Sequence, residues 1–307
     1  MITLVVRPNN NGSRNKYVRL LQQLYPQLEC VSQPTTTTGT PFIYGDNRKY
    51  WRFYQKHKIP YVLCENDIGS LRRGNNTCPN ERRMIEGAQK VLFPSEDFQT
   101  LVQARYTCPP SLVVHLSHSK TDLLFTPKPK IARSLVYCGG VLPWRSRRGP
   151  WGYRSYLKIF EQFIKYGWSV HLYATRLAKA GGNKEYEDIG CKIYTPVSQE
   201  SLYAELSQYT IGFQGYNKTD VPNTTFNYTQ LCRPNKLWEY LAAGIPTVGF
   251  QGGNGMQVYN NKWGIVLDTL EDIPSIDERI PTLALEAYRE QQVIENNLDA
   301  LQQFLGN

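Results

Sequence analysis

The stretch that most constrains this chain is residues 233–254, RPNKLWEYLAAGIPTVGFQGGN. It reads as helix, turn, buried strand and glycine-rich loop. Pro234 suits a first helical turn, where its missing N–H is not needed. Leu237, Tyr240 and Leu241 recur at helical spacing, and Ala242 and Ala243 permit close packing. Gly244 fits the position just past the helix, and Pro246 stops it. Thr247 to Phe250 is the short apolar run expected of a buried parallel strand. A helix start beside a glycine-rich loop is an anion site, because backbone N–H groups converge there. Lys236 and Glu239 stand at i and i+3, so both can face one ligand. The alternative is an ordinary amphipathic helix with a lysine and a glutamate on its wet face.

A chain of 307 residues, 41% hydrophobic and 12% aromatic, has material for one large core or two ordinary ones. The opening Met1-Ile-Thr-Leu-Val-Val-Arg7 is too short and too early in charge for a secretory signal. No run approaches the ~20 apolar residues of a membrane span. Seven scattered cysteines give no zinc pattern and read as free thiols in a reducing compartment. The expectation is a cytoplasmic protein without integral membrane contact, or one in the host cytoplasm if the source is viral. Net charge is +9, and all of it lies in the first part of the chain. Residues 1–130 hold 18 Lys and Arg against 9 Asp and Glu, whereas residues 131–307 hold 17 of each. That asymmetry points to an anionic partner of the first part: nucleic acid, acidic glycan or membrane surface. A merely soluble basic domain is the plain alternative.

Strand and helix patterns alternate along the chain, as in α/β domains. Strand runs start at Ile2, Pro41, Ile59, Lys90 and Leu112, and again at Ser134, Ser169, Cys191, Tyr209, Thr247 and Trp263. Residues 47–58 form a basic, aromatic helix. Trp51, Tyr54 and His57 are candidates for its inner stripe, with Arg48, Lys49, Arg52 and Lys56 mainly elsewhere. Basic side chains interleaved with aromatics suit phosphate contacts and base stacking, or simply a solvated face over a core stripe. Glu65 and Asp67 follow the strand ending at Cys64, where ligands of open α/β sheets collect. Arg72 and Arg73 open a basic loop. Gly139-Gly140 and then Arg145, Arg147 and Arg148 follow the strand beginning at Ser134. An arginine fork matches phosphate oxygens with two aligned hydrogen bonds. Residues 282–305 read as one long helix. No metal cluster and no Ser-His-Asp order stands out.

Pro234, Lys236, Glu239, Tyr240, Leu241, Ala242, Gly244, Pro246, Thr247 and Val248 resemble a segment of GT-B-fold glycosyltransferases, P-x-K-x-x-E-Y-L-A-x-G-x-P-V-V. The likeness is to the large group 1, family-4-like kind. It is dense over residues 233–254, weaker over 112–152 and thin over 1–110. It implies two Rossmann-like domains with parallel sheets facing a central cleft. The implied boundaries are 1–126 for the acceptor, 127–281 for a nucleotide-sugar, and 282–307 as a helix packing back toward the first domain.

The resemblance also implies roles. Glu239 would hold the donor ribose, with Asn235 and Lys236 at the diphosphate. Gly139, Gly140, Arg145, Arg147 and Arg148 would also serve the diphosphate, and Tyr194 to Val197 the donor base. Gly12 and Ser13 would lie in the loop that closes over the ligands. On charge, not on the resemblance, Arg48, Arg52, Arg72 and Arg73 are the candidates for meeting the acceptor. Asn66 stands where the family often has histidine, while Asp67 remains; Asp67 or Glu65 would take the acceptor's proton. Leu231 stands where many members carry a second glutamate that holds the donor sugar. That departure leaves sugar identity and stereochemical course open, and keeps a non-catalytic nucleotide or sugar binder in view. The expected co-substrate is a nucleoside-diphosphate sugar, foremost a UDP-sugar, with no other cofactor and no metal. The expected acceptor is a polyanion, in its sharpest form hydroxymethylated bases of double-stranded DNA. A glycan or lipid-linked saccharide is the alternative.

Overall fold

The structure is a computed structural model. It describes residues 2–5, 20–26, 29–31, 34, 36, 39–44, 48–65, 70, 78–115, 117–146, 152–174, 177, 181–216, 233–251 and 259–306. The chain divides into two units. One comprises residues 1–119, 231–233 and 293–307, and the other residues 120–230 and 234–292.

The first unit is built on a six-stranded parallel sheet of order β2-β1-β3-β4-β5-β6. Its strands are β1 (Ile2–Val5), β2 (Glu29–Val31), β3 (Thr40–Tyr44), β4 (Val62–Cys64), β5 (Lys90–Phe93) and β6 (Ser111–Val113). The sequence reading lacks β2, a three-residue edge strand carrying Glu29 and Cys30, with too little apolar patterning to announce itself. Helix α1 (Arg48–Lys56) buries Tyr50, Trp51 and Tyr54. His57 does not join that stripe: it is exposed, with its ring 4.4 Å from Phe53. Helix α2 (Pro79–Glu86) buries Met84 and Ile85. Helix α3 (Glu96–Gln103) is capped as its sequence expects, with Phe98 N–H donating to Ser95 Oγ at 3.3 Å.

The second unit carries a six-stranded parallel sheet of order β12-β11-β10-β7-β8-β9. Its strands are β7 (Ser134–Gly139), β8 (Ser169–Ala174), β9 (Lys192–Tyr194), β10 (Ile211–Phe213), β11 (Thr247–Phe250) and β12 (Gly264–Leu267). Alternate residues feed opposite faces. Leu135, Tyr137 and Phe213 join Phe160 and Phe163 of α4 (Leu157–Lys165) on one side. Val136 and Tyr173 join Leu206 of α6 (Gln199–Ser207) on the other, α5 (Asn183–Asp188) lying between the two helices in sequence. Tyr240 of α7 (Asn235–Ala242) packs on that same second face. The sheet is therefore doubly wound. The chain starts at β7, steps outward through β8 and β9, then returns to β10 on the other side of β7. In such sheets ligands lie beyond the carboxyl ends of the strands where the order reverses. Here that point is between β7 and β10; in the first sheet it is between β1 and β3.

Residues 282–305 are not one helix. Short α8 (Ile276–Arg279) leads through a 3-10 turn to α9 (Leu285–Gln291), and α10 (Leu298–Gly306) follows a second 3-10 turn. The break falls at Val293 and Ile294, which are buried, and Ile294 N–H donates to His118 O at 2.8 Å instead of to a helix carbonyl. From there α10 packs on the first unit's core, with Leu301 fully buried beside Phe42 and Leu92. Among the described residues no helix is long and apolar enough to cross a membrane.

Candidate functional site

Helix α7 is set by its ends. Pro234 is extended (φ −72°, ψ 146°) and precedes the helix instead of opening its first turn, so Asn235 is the first helical residue. Pro234, the residue in the capping position, makes no side-chain cap bond. At the other end Gly244 takes φ +68°, with Gly244 N–H bonding Leu241 O at 3.0 Å and Ile245 N–H bonding Tyr240 O at 3.0 Å. Those two bonds make the Schellman stop that Gly244 and Pro246 foretell.

The helix is buried on more than one side. Leu237, Trp238 and Leu241 pack with Tyr259, Trp263 and Val266. Tyr240 turns the opposite way, over β7 and β10. Its hydroxyl donates to Val136 O and Phe213 O, each at 3.3 Å, and accepts Cys138 N–H at 3.1 Å. The helix seats this closely because position 212 is glycine: a Cβ there would fall 2.4 Å from the Tyr240 ring. The reading of α7 as an amphipathic surface helix therefore does not hold.

Lys236 and Glu239 share the Tyr240 side. Lys236 Nζ donates to the Tyr137 hydroxyl at 2.9 Å and stands 4.2 Å from that ring's centre. Its side chain lies across Gly139, within 3.5 Å of that residue's Cβ position. Gly139 ends β7 at φ +141°, a conformation that favours glycine. Glu239 is only 9% exposed, and Cys138 Sγ donates to its Oε2 at 3.7 Å. Burial, and then the Glu239 carboxylate, push the Cys138 thiol up to about 12, so it stays protonated and able to donate. Gly140 follows, its carbonyl accepting the Tyr137 hydroxyl at 3.3 Å. The result is a helix start, a lysine and a buried carboxylate at the carboxyl end of β7, beside the switch point. Such a set can meet phosphate oxygens with N–H groups and a cation, and hydroxyls with a carboxylate.

The other sequence candidates fall elsewhere or outside the described residues. Arg145 is exposed and reaches toward Gly181, with Nη2 3.2 Å from that residue's Cβ position. Tyr194 ends edge strand β9 and stacks on His171 and Tyr173 at interplanar angles of 2° and 19°. Val197 is partly buried against the Val136–Tyr240 cluster. Glu65 follows β4 and is fully buried, its N–H bonded to Leu92 O at 2.9 Å. Arg52 is exposed on α1, and Arg48 opens that helix. Gly12, Ser13, Asp67, Arg72, Arg73, Arg147 and Arg148 lie outside the described residues. Sequence reasoning missed Arg154, which lies among Tyr137, Tyr153, Tyr156 and Tyr216, its guanidinium 5.4 Å from the Tyr153 ring. It also missed Gln214 at the end of β10. The available signal was a polar residue closing the apolar run Ile211-Gly-Phe213. Among the described residues no three His, Cys, Asp or Glu gather as a metal site.

No protein-family model and no curated protein matches the chain. Solved structures do. Anabaena HepE in complex with UDP and glucose matches with a TM-score of 0.67 and 12% identity, over 100% of this chain and 99% of that one. WaaG, a glycosyltransferase involved in lipopolysaccharide biosynthesis, gives 0.60 and 8% identity over 98% of each chain. A glycosyltransferase from Rickettsia africae gives 0.58 and 13% identity over 100% and 98%. Identities this low speak for architecture alone, and on that ground the chain has the α/β, parallel-sheet GT-B fold of these glycosyltransferases.

Proposed function

We propose that the chain is a glycosyltransferase that moves a sugar from a nucleoside-diphosphate donor, foremost a UDP-sugar, to a hydroxyl of a polyanionic acceptor. One observation carries this reading: one turn into α7, Glu239 is buried against Cys138, while Lys236 of the first turn lies over Gly139, both at the carboxyl end of β7. Glu239 takes the donor ribose. Asn235, Lys236, Gly139 and Gly140 take the diphosphate, with Arg145, Arg147 and Arg148 adding charge that eases its departure. Tyr194 and Val197 flank the base. Support comes from the HepE structures, which hold UDP with glucose and UDP-glucose. Residues 1–126 serve the acceptor, residues 127–281 the donor, and residues 282–307 return toward the first domain. Asp67 or Glu65 orients and deprotonates the acceptor hydroxyl. Gly12, Ser13, Arg72 and Arg73 contribute to acceptor binding.

The polyanion reading rests on charge. Helices α1 and α2 are tied by Arg52 Nη2 donating to Asn80 Oδ1 at 3.0 Å and Gln55 Nε2 donating to Arg83 O at 2.6 Å. Arg52, Lys56, Arg82 and Arg83 are exposed on this pair, which Arg48 opens. Hydroxymethylated bases in double-stranded DNA are the sharpest such acceptor. Glycan acceptors are the second reading, favoured by WaaG's part in lipopolysaccharide biosynthesis. The test is nucleotide release from UDP-, GDP- and ADP-sugars, with and without hydroxymethylated duplex DNA. Release that rises with modified DNA supports the full proposal. Release indifferent to DNA moves the acceptor to glycans, and no release from any donor favours a non-catalytic binder.

A further inference from the structure

Gln214 follows β10 directly, at the point where the sheet order reverses. Its backbone is fixed, with its N–H donating to Val248 O at 2.8 Å. It is 0% exposed, and among the described residues neither its Oε1 nor its Nε2 has a hydrogen-bond partner. A buried amide left unbonded is costly, so a folded protein keeps one where something else completes it. Register locates the group. Gly212 pairs with Val136, so two residues on Gln214 comes level with Cys138. Alternation keeps Gln214 on the side of Gly212, which is the Tyr240 side. That is also the side on which Cys138 meets Glu239.

We propose that Gln214 is a specificity-determining residue whose amide binds a hydroxyl of the sugar being transferred. This rests on the donor reading above. An amide offers both an acceptor and donors. A phosphate only accepts and would leave Oε1 unmet, whereas a sugar hydroxyl gives and takes and can satisfy both ends. The ribose hydroxyls already have Glu239.

Calorimetric titration of UDP and of UDP-glucose into wild type and Gln214→Leu, with a melting curve for each protein, tests this. The expected result is UDP-glucose affinity weakened about 10-fold, UDP affinity held within about twofold, and a melting temperature equal or higher. Removing an unbonded buried amide does not cost stability, whereas removing a structural one does. Gln214→Met, unbranched and of similar length, repeats the test if leucine is not accommodated. Unchanged UDP-glucose binding, equal weakening of both ligands, or a lower melting temperature in both variants overturns the inference. A wild type that binds neither ligand, nor any GDP- or ADP-sugar, overturns the donor reading itself, and the inference with it.

Discussion

Helices α1 and α7 look alike in sequence: both mix aromatics with charge over about two turns. The fold treats them differently. Helix α1 buries Tyr50, Trp51 and Tyr54 and turns Arg52 and Lys56 to solvent. Helix α7 has Trp238 on one side and Tyr240 on the other, both buried, with Glu239 in the core and Lys236 laid over Tyr137. Solvated charges on a one-sided helix cost little and fix little. A carboxylate at 9% exposure is costly and persists only with a partner. The difference separates a solvated basic surface from a buried carboxylate beside a partly buried lysine.

That contrast can be broken most severely at the tryptophans. Trp51 and Trp238 are each 2% exposed, so alanine at either costs about 3–5 kcal/mol in denaturant melts. Trp238→Ala should also abolish UDP-glucose binding at temperatures where it remains folded, whereas Trp51→Ala should leave it intact. Equal effects on binding would erase the distinction.

Tyr240→Phe is the next largest. It removes the acceptor of the buried Cys138 N–H and should cost about 1–3 kcal/mol. An unchanged melting curve would show that the hydroxyl does not seat the helix.

Burial should also act on His171, on β8 next to β7 and stacked on Tyr194. Burial first, and then nearby Lys192, lower its pKa to about 4 from 6.5. Between those values the unfolded chain takes up a proton that the folded one refuses, so stability falls as pH drops from about 6.5 toward 4. His171→Gln should lose that part of the acid sensitivity. Parallel pH profiles for both proteins would assign the sensitivity elsewhere.

The smallest stability effect belongs to α1. Arg52→Ala should change stability by no more than about 0.5 kcal/mol, while lowering the salt slope of duplex DNA binding by about one unit if Arg52 meets a phosphate. An unchanged slope would remove Arg52 from that surface.

Much of α7 is legible in the sequence because local chemistry sets it. Gly244 must take positive φ, Pro246 must end the helix, and Lys236 and Glu239 share a face by spacing alone. The flanking strand β11 is equally plain as an apolar run. What escapes is what only three dimensions create. Cys138 meets Glu239 across 101 residues. Gln214 comes level with Cys138 because β10 returns beside β7, a fact of strand order and not of spacing. Edge strand β2 is too short to show a period. The C-terminal helix breaks where Val293 and Ile294 are drawn into the first unit's core and Ile294 bonds His118, a tertiary demand that overrides local helix pattern.

The central claim is that the buried Glu239 exists to hold a nucleotide-sugar. Its most direct test is calorimetric titration of UDP-glucose into wild type and Glu239→Ala, with melting curves for both. Saturable wild-type binding that falls by roughly 10- to 100-fold in the variant, without loss of thermal stability, is the predicted result. Equal binding by the two proteins, or none by wild type to any nucleotide-sugar, would contradict it.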